Sequence, residues 1–323
     1  MQKSIGMIKA GILGTDEDIT HYLDLLNQLN TFQIVGLHDI NQERVLDIRK
    51  HYGIKIFLHP EDLFEHVDAL ITTSGYNSYT CLKSALRNSK HIFIGKPGDY
   101  SISETRDLIN LSDEAEVVVQ VGFPHRYNPA FLAARPFIHP RVRMIQTRRM
   151  TAYNESRPVH PVNDLMLHDV DNILSVVRSN IRKISAYGVS TNKQSPEVVN
   201  AFIEFHNGCI ANLTASGISG HEEQSAVFYN PSDYIEIDFI NQAAFRYSKD
   251  KDGDISLFGE NKNNMNCDPI PVKNANVVAD ELEAFSKSIL QAMSPEVSLE
   301  NTSRTMAVIR EINSRLKLTS NCS

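Results

Sequence analysis

The strongest constraint on this chain is the alternation of short apolar runs with helical patterns through its first third. MIKAGIL reads as a strand, followed by a helical pattern from about Asp18 to Asn30. FQIVGLHD (Phe32–Asp39) is a second strand, and NQERVLDIRKHYG is a helix stopped by Gly53. IKIFL, DALITT, HIFIGKP and EVVVQVG continue the strands, with helical stretches near Tyr79–Asn88 and Ser103–Ser112 between the later ones. Strands alternating with helices imply βαβ units and a parallel sheet. Nearly unbroken apolar strands suit a sheet covered on both faces. Right-handed crossovers then give an α/β, doubly wound, dinucleotide-binding type of domain over residues 1–122.

The pattern changes after Gly122. A helix-like segment around Asn128–Phe137 leads into a long strand, Arg141–Ala152, and then into the polar loop YNESRPVHPVN. DLMLHDVDNILSVVRS reads as a helix. KISAYGVS, EVVNAFIEFHNG, CIANLTASG, QSAVFYN and DYIEIDFINQAAFRYS then follow as consecutive strands. Short turns between them, including the Asn-Gly hairpin of HNGC, indicate a large open, mostly antiparallel sheet. Two helices, near Val278–Met293 and Ser298–Leu316, close a second α+β domain spanning residues 123–323.

Charge narrows the classes of partner. The 323 residues carry a formal net charge of -7, with no dense basic run, which argues against nucleic acid. RVRMIQTRR (Arg141–Arg149) is the most basic stretch, and its alternation reads as a strand with one exposed face. No apolar run approaches the roughly 20 residues that span a bilayer, and no secretory leader is evident. Cys81, Cys209, Cys267 and Cys322 lie far apart, which supports neither a metal site nor a disulfide framework. A cytoplasmic location is the default expectation.

Four places carry chemistry. GILGTDEDITHY occupies the loop after the first strand, where a diphosphate would sit on the backbone N–H groups of a helix N-terminus. Gly11 and Gly14 are there, but Asp16 and Ile19 stand where further glycines would allow close phosphate approach, so a plain βα turn is the alternative. Asp39 ends the second strand about 25 residues beyond Gly14. There it can accept from an adenosine ribose and would repel a 2′-phosphate, favouring NAD over NADP, or it can cap the following helix. Lys96 closes a central strand, where open α/β sheets bind ligands. Its ammonium can stabilise a developing alkoxide, or simply be a solvated lysine. In DLMLHDVD, the i, i+4 spacing puts Asp164 and His168 on one helix face, with Asp171 beside them. His168 could take a carbinol proton while Asp164 orients it; helix capping by Asn163 or Asp164, with His168 paired or solvated, is the alternative.

The order of these motifs resembles the Gfo/Idh/MocA oxidoreductases, the family of glucose–fructose oxidoreductase and inositol dehydrogenases. VGLHDINQERVLDIRKHYGIKIF, HIFIGKP, VQVGFPHRYNPAF, DLMLHDVD and ELEAFSKSILQAMSPEVSLENTSRTMAVIREINSRL match its pattern in sequence. The resemblance implies a Rossmann domain and a second domain that binds substrate and forms a dimer or tetramer through its sheet. It implies NAD(P)-dependent hydride transfer at a hydroxyl-bearing carbon of a sugar, nucleotide sugar or polyol. By position it makes Lys96, His168 and Asp164 catalytic, with the imidazole and the ammonium gripping one oxygen. It places Gly11, Gly14, Asp16, Asp39, Thr73, Ser74, Lys96 and Arg126 toward the cofactor. The chain departs from the family at Asp16 and Ile19, at TTSGYNSY, where Ser74 and Tyr79 lie near the usual Thr-Pro and His, and at Gly95, which replaces the Glu of the E-K-P motif. Those departures make a non-catalytic binding or regulatory relative the alternative function.

Overall fold

The computed structural model describes residues 6–16, 19–73, 76–156, 158–190, 195–249 and 265–319. The chain divides into two compact units, one of Met1–Pro124 with Asn276–Arg304 and one of His125–Ala275 with Thr305–Ser323.

In the first unit the elements run β1 (Ile8–Leu13), α1 (Ile19–Gln28), β2 (Phe32–His38), α2 (Gln42–Tyr52), α3 (Pro60–Phe64), β3 (Ala69–Thr72), α4 (Tyr79–Arg87), β4 (His91–Ile94), α5 (Ile102–Glu114) and β5 (Val119–Val121). The five strands pair in parallel in the order β2-β1-β3-β4-β5. Ile8, Ala10 and Ile12 alternate onto one face of β1, where they join Leu23 and Leu26 of α1 and Val45 and Ile48 of α2 in one buried cluster. Gly11 faces the other way, and a β carbon there would lie 3.0 Å from Leu63 of α3. The missing side chain is what lets α3 seat against the strand.

The local signals explain the boundaries. Asn41 caps α2 by accepting from the Arg44 N–H, and Gly53 ends it in a left-handed conformation. Ser101 and Glu104 close a reciprocal capping box on α5. IKIFL makes only an isolated bridge, Ile56 to Leu37, along the outer edge of β2 instead of the expected strand.

The second unit contains α6 (Pro129–Ala134), β6 (Met144–Ala152), α7 (Leu167–Val176), β7 (Ile181–Val189), β8 (Val198–Phe205), β9 (Ile210–Ser219), β10 (Glu223–Tyr229), β11 (Asp233–Asp238), β12 (Ala243–Lys249) and β13 (Met265–Ile270). Its nine-stranded sheet has the order β13-β12-β11-β10-β6-β9-β8-β7-β14, where β14 is Leu316–Thr319. Only β6–β9 and β7–β14 pair in parallel among its described strands. One sheet face is buried under α6 and α7, with Phe131, Val170 and Ile173 meeting Ile145, Leu213 and Ile237.

Two helices precede β14, α8 (Val277–Gln291) and α9 (Leu299–Arg315). The expectation put both in the second domain, whereas α8 belongs to the first unit. Leu282 and Phe285 supply the reason, since both are fully buried in the parallel-sheet core. Phe285 lies between the rings of Phe32 and Phe93. Glu281 locks the return: its carboxylate accepts from the Phe123 N–H at 2.6 Å and its carbonyl from Gln120 Nε2 at 2.9 Å.

Candidate active site

At the carboxyl end of the parallel sheet, β1 passes into a turn at Gly14, whose φ is +102°. L-residues rarely adopt that conformation, and a β carbon there would fall 1.9 Å from Thr73 Oγ1. The Gly14 N–H donates to the His38 carbonyl at 2.9 Å, which draws the loop toward the end of β2. Ile19, at a position where a phosphate loop carries glycine, is buried in the core instead. Its aliphatic side chain packs α1 more firmly at the cost of close access to that helix end.

Asp39 is buried and takes neither of its expected roles in a simple form. Its carboxylate accepts from Thr15 Oγ1 and from the Asn41 N–H, while Asn41 supplies the helix cap. Arg44 Nη1 adds a hydrogen bond to the Thr15 carbonyl at 2.9 Å. The Tyr76 hydroxyl accepts from the Ile40 N–H at 2.7 Å, and burial pushes that phenol above its ordinary range. Thr15, Asp39, Arg44 and Tyr76 thus tie the first loop to the end of β2.

Lys96 follows β4 and is exposed. Asn77 Nδ2 donates to its carbonyl at 3.1 Å, and Tyr100 holds Asn77 in turn through the Asn77 carbonyl. A β carbon at Gly95 would stand 2.8 Å from the Thr72 carbonyl oxygen. The family's Glu could not enter here without moving backbone, which gives the Gly95 departure a local cause. Thr72 and Thr73 present buried hydroxyls with no hydrogen-bond partner among the described residues. Those polar atoms, with the Gly14 cradle between β1 and β3, fit a dinucleotide at the topological switch point. Ser74 lies outside the described residues.

The second unit carries the histidine. The expected helix DLMLHDVD begins as a wide π turn, Pro161–Met166, and becomes α-helical only at Leu167. His160 Nδ1 caps it, and exposed Asp164 returns its carboxylate to the His160 N–H at 2.7 Å. The i, i+4 argument for Asp164 and His168 assumed a regular helix, and the π turn removes that premise. Such turns recur at functional sites.

His168 is partly exposed, and its ring centroid is 4.3 Å from that of His125. Beneath them lies Arg149 of β6, 2% exposed. Its Nε and Nη2 donate to Asp169 Oδ1 at 3.2 and 2.7 Å, and Nη1 donates to Gln224 Oε1 at 3.0 Å. Two residues beyond Asp169, Asp171 accepts from Arg126 Nε and Nη2 at 2.8 Å each in a buried fork. That pairing engages Arg126 within its own unit, where the resemblance had it facing the cofactor. Burial and the Arg149 charge lower His168 to about 3 and hold His125 well below the usual imidazole range. His168 is therefore uncharged at neutral pH.

Sequence reasoning missed His125, Arg149 and Asp169. The signal for Arg149 was parity, since it shares a strand face with Ile145 and Thr147, while Arg148 points outward to Glu223.

Residues 5–123 match the model of an oxidoreductase family with an NAD-binding Rossmann fold. That family is the Gfo/Idh/MocA oxidoreductases, and the match covers the part of the chain that holds the parallel sheet. This oxidoreductase is 25% identical over 219 residues to UDP-N-acetylglucosamine 3-dehydrogenase of Acidithiobacillus ferrooxidans, covering 67% of this chain and 70% of that one. It is 25% identical over 228 residues to scyllo-inositol 2-dehydrogenase (NAD(+)) of Bacillus subtilis, covering 64% and 67%. The solved A. ferrooxidans enzyme superposes with a TM-score of 0.86 at 20% identity over 96% of this chain and 98% of that one. A 3-ketoreductase from Actinomadura kijaniata, solved with TDP-benzene and NADP, gives a TM-score of 0.76 at 13% identity over 97% and 99%. At those identities the two structures show the shared fold.

Proposed function

We propose that this oxidoreductase moves a hydride between a nicotinamide cofactor and a hydroxyl-bearing carbon of a nucleotide-activated sugar. The observation that carries the proposal is His168, a partly exposed imidazole kept uncharged in a chain of this family. The nucleotide-sugar preference is supported by the relatives' substrates, with a free sugar or polyol as the broader class.

The bound cofactor supplies the hydride acceptor or donor. Gly14, Thr73 and the Asp39 region hold it in this proposal, with Asp16 beside Gly14, whereas Gly11 packs inside β1 against Leu63. Asp39 disfavours a 2′-phosphate, so NAD is the expected form. The His168 lone pair takes the hydroxyl proton during oxidation and returns it during reduction. The Lys96 ammonium stabilises the alkoxide as it develops. Asp164 acts at the substrate side of His168. Residues 1–122 form the cofactor domain and most of the remainder the substrate domain.

Dimerisation through the nine-stranded sheet belongs to the same proposal. Tyr187, Val189, Phe202, Ile210 and Ile218 are exposed on its strands. A cytoplasmic location fits a cofactor drawn from the cellular nicotinamide pool; no described helix is long and apolar enough to cross a membrane.

The test combines NAD+ or NADP+ with UDP-N-acetylglucosamine, other nucleotide sugars and myo-inositol, following nicotinamide absorbance. Saturable turnover of a nucleotide sugar supports the proposal. Binding of neither dinucleotide by the folded protein contradicts it.

A further inference from the structure

What stands behind the candidate base in the second unit is a guanidinium. Arg149 and Asp169 are each 2% exposed. Their strand face otherwise presents Ile145 and Thr147. Burying an ion pair there is expensive, and apolar side chains of similar volume would often pack as stably. The pair and its neighbour Gln224 come from three elements: Arg149 from β6, Asp169 from α7 and Gln224 from β10. Gln224 is the cross-strand neighbour of Arg149 and fixes its Nη1.

That same Nη1 lies 3.4 and 3.3 Å from the two ring nitrogens of His125. A guanidinium has only donors, and Nη1 stands almost equally close to both ring nitrogens, so its positive charge opposes a second proton on the ring. The ring of Phe239 lies 5.7 Å from the Arg149 guanidinium carbon and 6.4 Å from His125, closing the other side. His125 then packs its ring on His168.

We propose that Arg149, clamped by Asp169, is a positioning residue that acts through His125, holding the His125–His168 pair uncharged and ring against ring so that His168 can take a substrate hydroxyl proton. This deepens the dehydrogenase proposal and rests on it for the identity of the proton donor. In that step the O–H bond of the substrate breaks and its proton moves to a His168 ring nitrogen. Among the described residues of this unit, the following charged groups face the pair. Arg149 comes from β6 and Asp169 from α7, bound to Arg149. Arg126, beside His125, is matched by Asp171, and Asp164 is turned to the His160 N–H. Burial is the largest cause of the depressed imidazoles, and the Arg149 charge adds to it at both.

The test is a pH titration of the histidine ring resonances by NMR on the full chain, with His125→Asn and His168→Asn used for assignment. In the wild type, neither ring should titrate between about pH 5 and 8, where an ordinary histidine does. Arg149→Gln/Asp169→Asn removes both charges together and leaves no lone buried ion. It should raise both midpoints by about one pH unit or more, a tenfold change in proton affinity. Unmoved midpoints in the folded double variant would overturn the proposal, as would wild-type rings titrating near the ordinary value of about 6.5. If circular dichroism shows the double variant unfolded, the wild-type titration and Arg149→Lys decide. Arg149→Lys keeps the charge but loses the fork. It should leave the titration in place and lower kcat about tenfold or more with KM little changed; full kcat overturns the positioning role. Absence of turnover on every sugar would sink the dehydrogenase proposal while leaving the titration to judge the pair.

Discussion

Gly14 is the residue on which the first loop turns. Gly14→Ala must place a β carbon onto Thr73 Oγ1 in a conformation that L-residues resist. We expect a stability loss of roughly 1–3 kcal/mol by thermal melting and at least a tenfold loss of NADH affinity by fluorescence titration. Equal NADH affinity in the folded variant would place the dinucleotide elsewhere. Lys96→Ala should lower kcat by about 10²–10³, the scale of losing one transition-state donor, with the fold intact; kcat within twofold of wild type would remove Lys96 from the chemistry. Residue types at strand ends made Gly14, Asp39 and Lys96 legible in the sequence. Their neighbours were not. That Asp39 is held by Thr15 and Asn41 depends on a contact between two loops, which no spacing rule encodes. Arg149 was hidden by its neighbour, because Arg148 and Arg149 look alike in a basic run and only strand parity separates the exposed one from the buried one.

At the scale of elements, periodicity located most strands and helices of the parallel sheet, because each strand is short, apolar and bounded by a cap or a glycine. It failed where geometry is not periodic. The π turn at Pro161–Met166 shifts every residue around the helix axis, and its cause is local: Pro161 and the mutual capping of His160 and Asp164. Helix α8 was visible as a helix, but which core it joins depends on chain tracing. Phe285, fully buried between Phe32 and Phe93, makes that choice testable. Phe285→Ala should cost roughly 3–5 kcal/mol in denaturant unfolding. A loss below about 1 kcal/mol would mean that α8 does not complete the parallel-sheet core.

For the whole molecule, the two lowered histidines couple protonation to stability. His168 is depressed to about 3 when folded, against about 6.5 when unfolded. Between those values the unfolded chain binds more protons than the folded one. The histidine contribution is therefore complete above about pH 6.5 and is lost progressively as pH falls toward the folded value. Tm should drop between about pH 7 and pH 4, and His168→Gln should flatten that drop; an equally steep drop in the variant would show that folding does not hold His168 uncharged.

The most direct measurement of the dehydrogenase assignment is hydride transfer with a nucleotide sugar, in wild type and in His168→Gln, alongside calorimetric NADH binding to both. Wild type should reduce NAD+, while the variant should bind NADH equally well and turn over about 10²–10⁴ times more slowly. Turnover undiminished in His168→Gln would contradict the assignment of the proton to this imidazole.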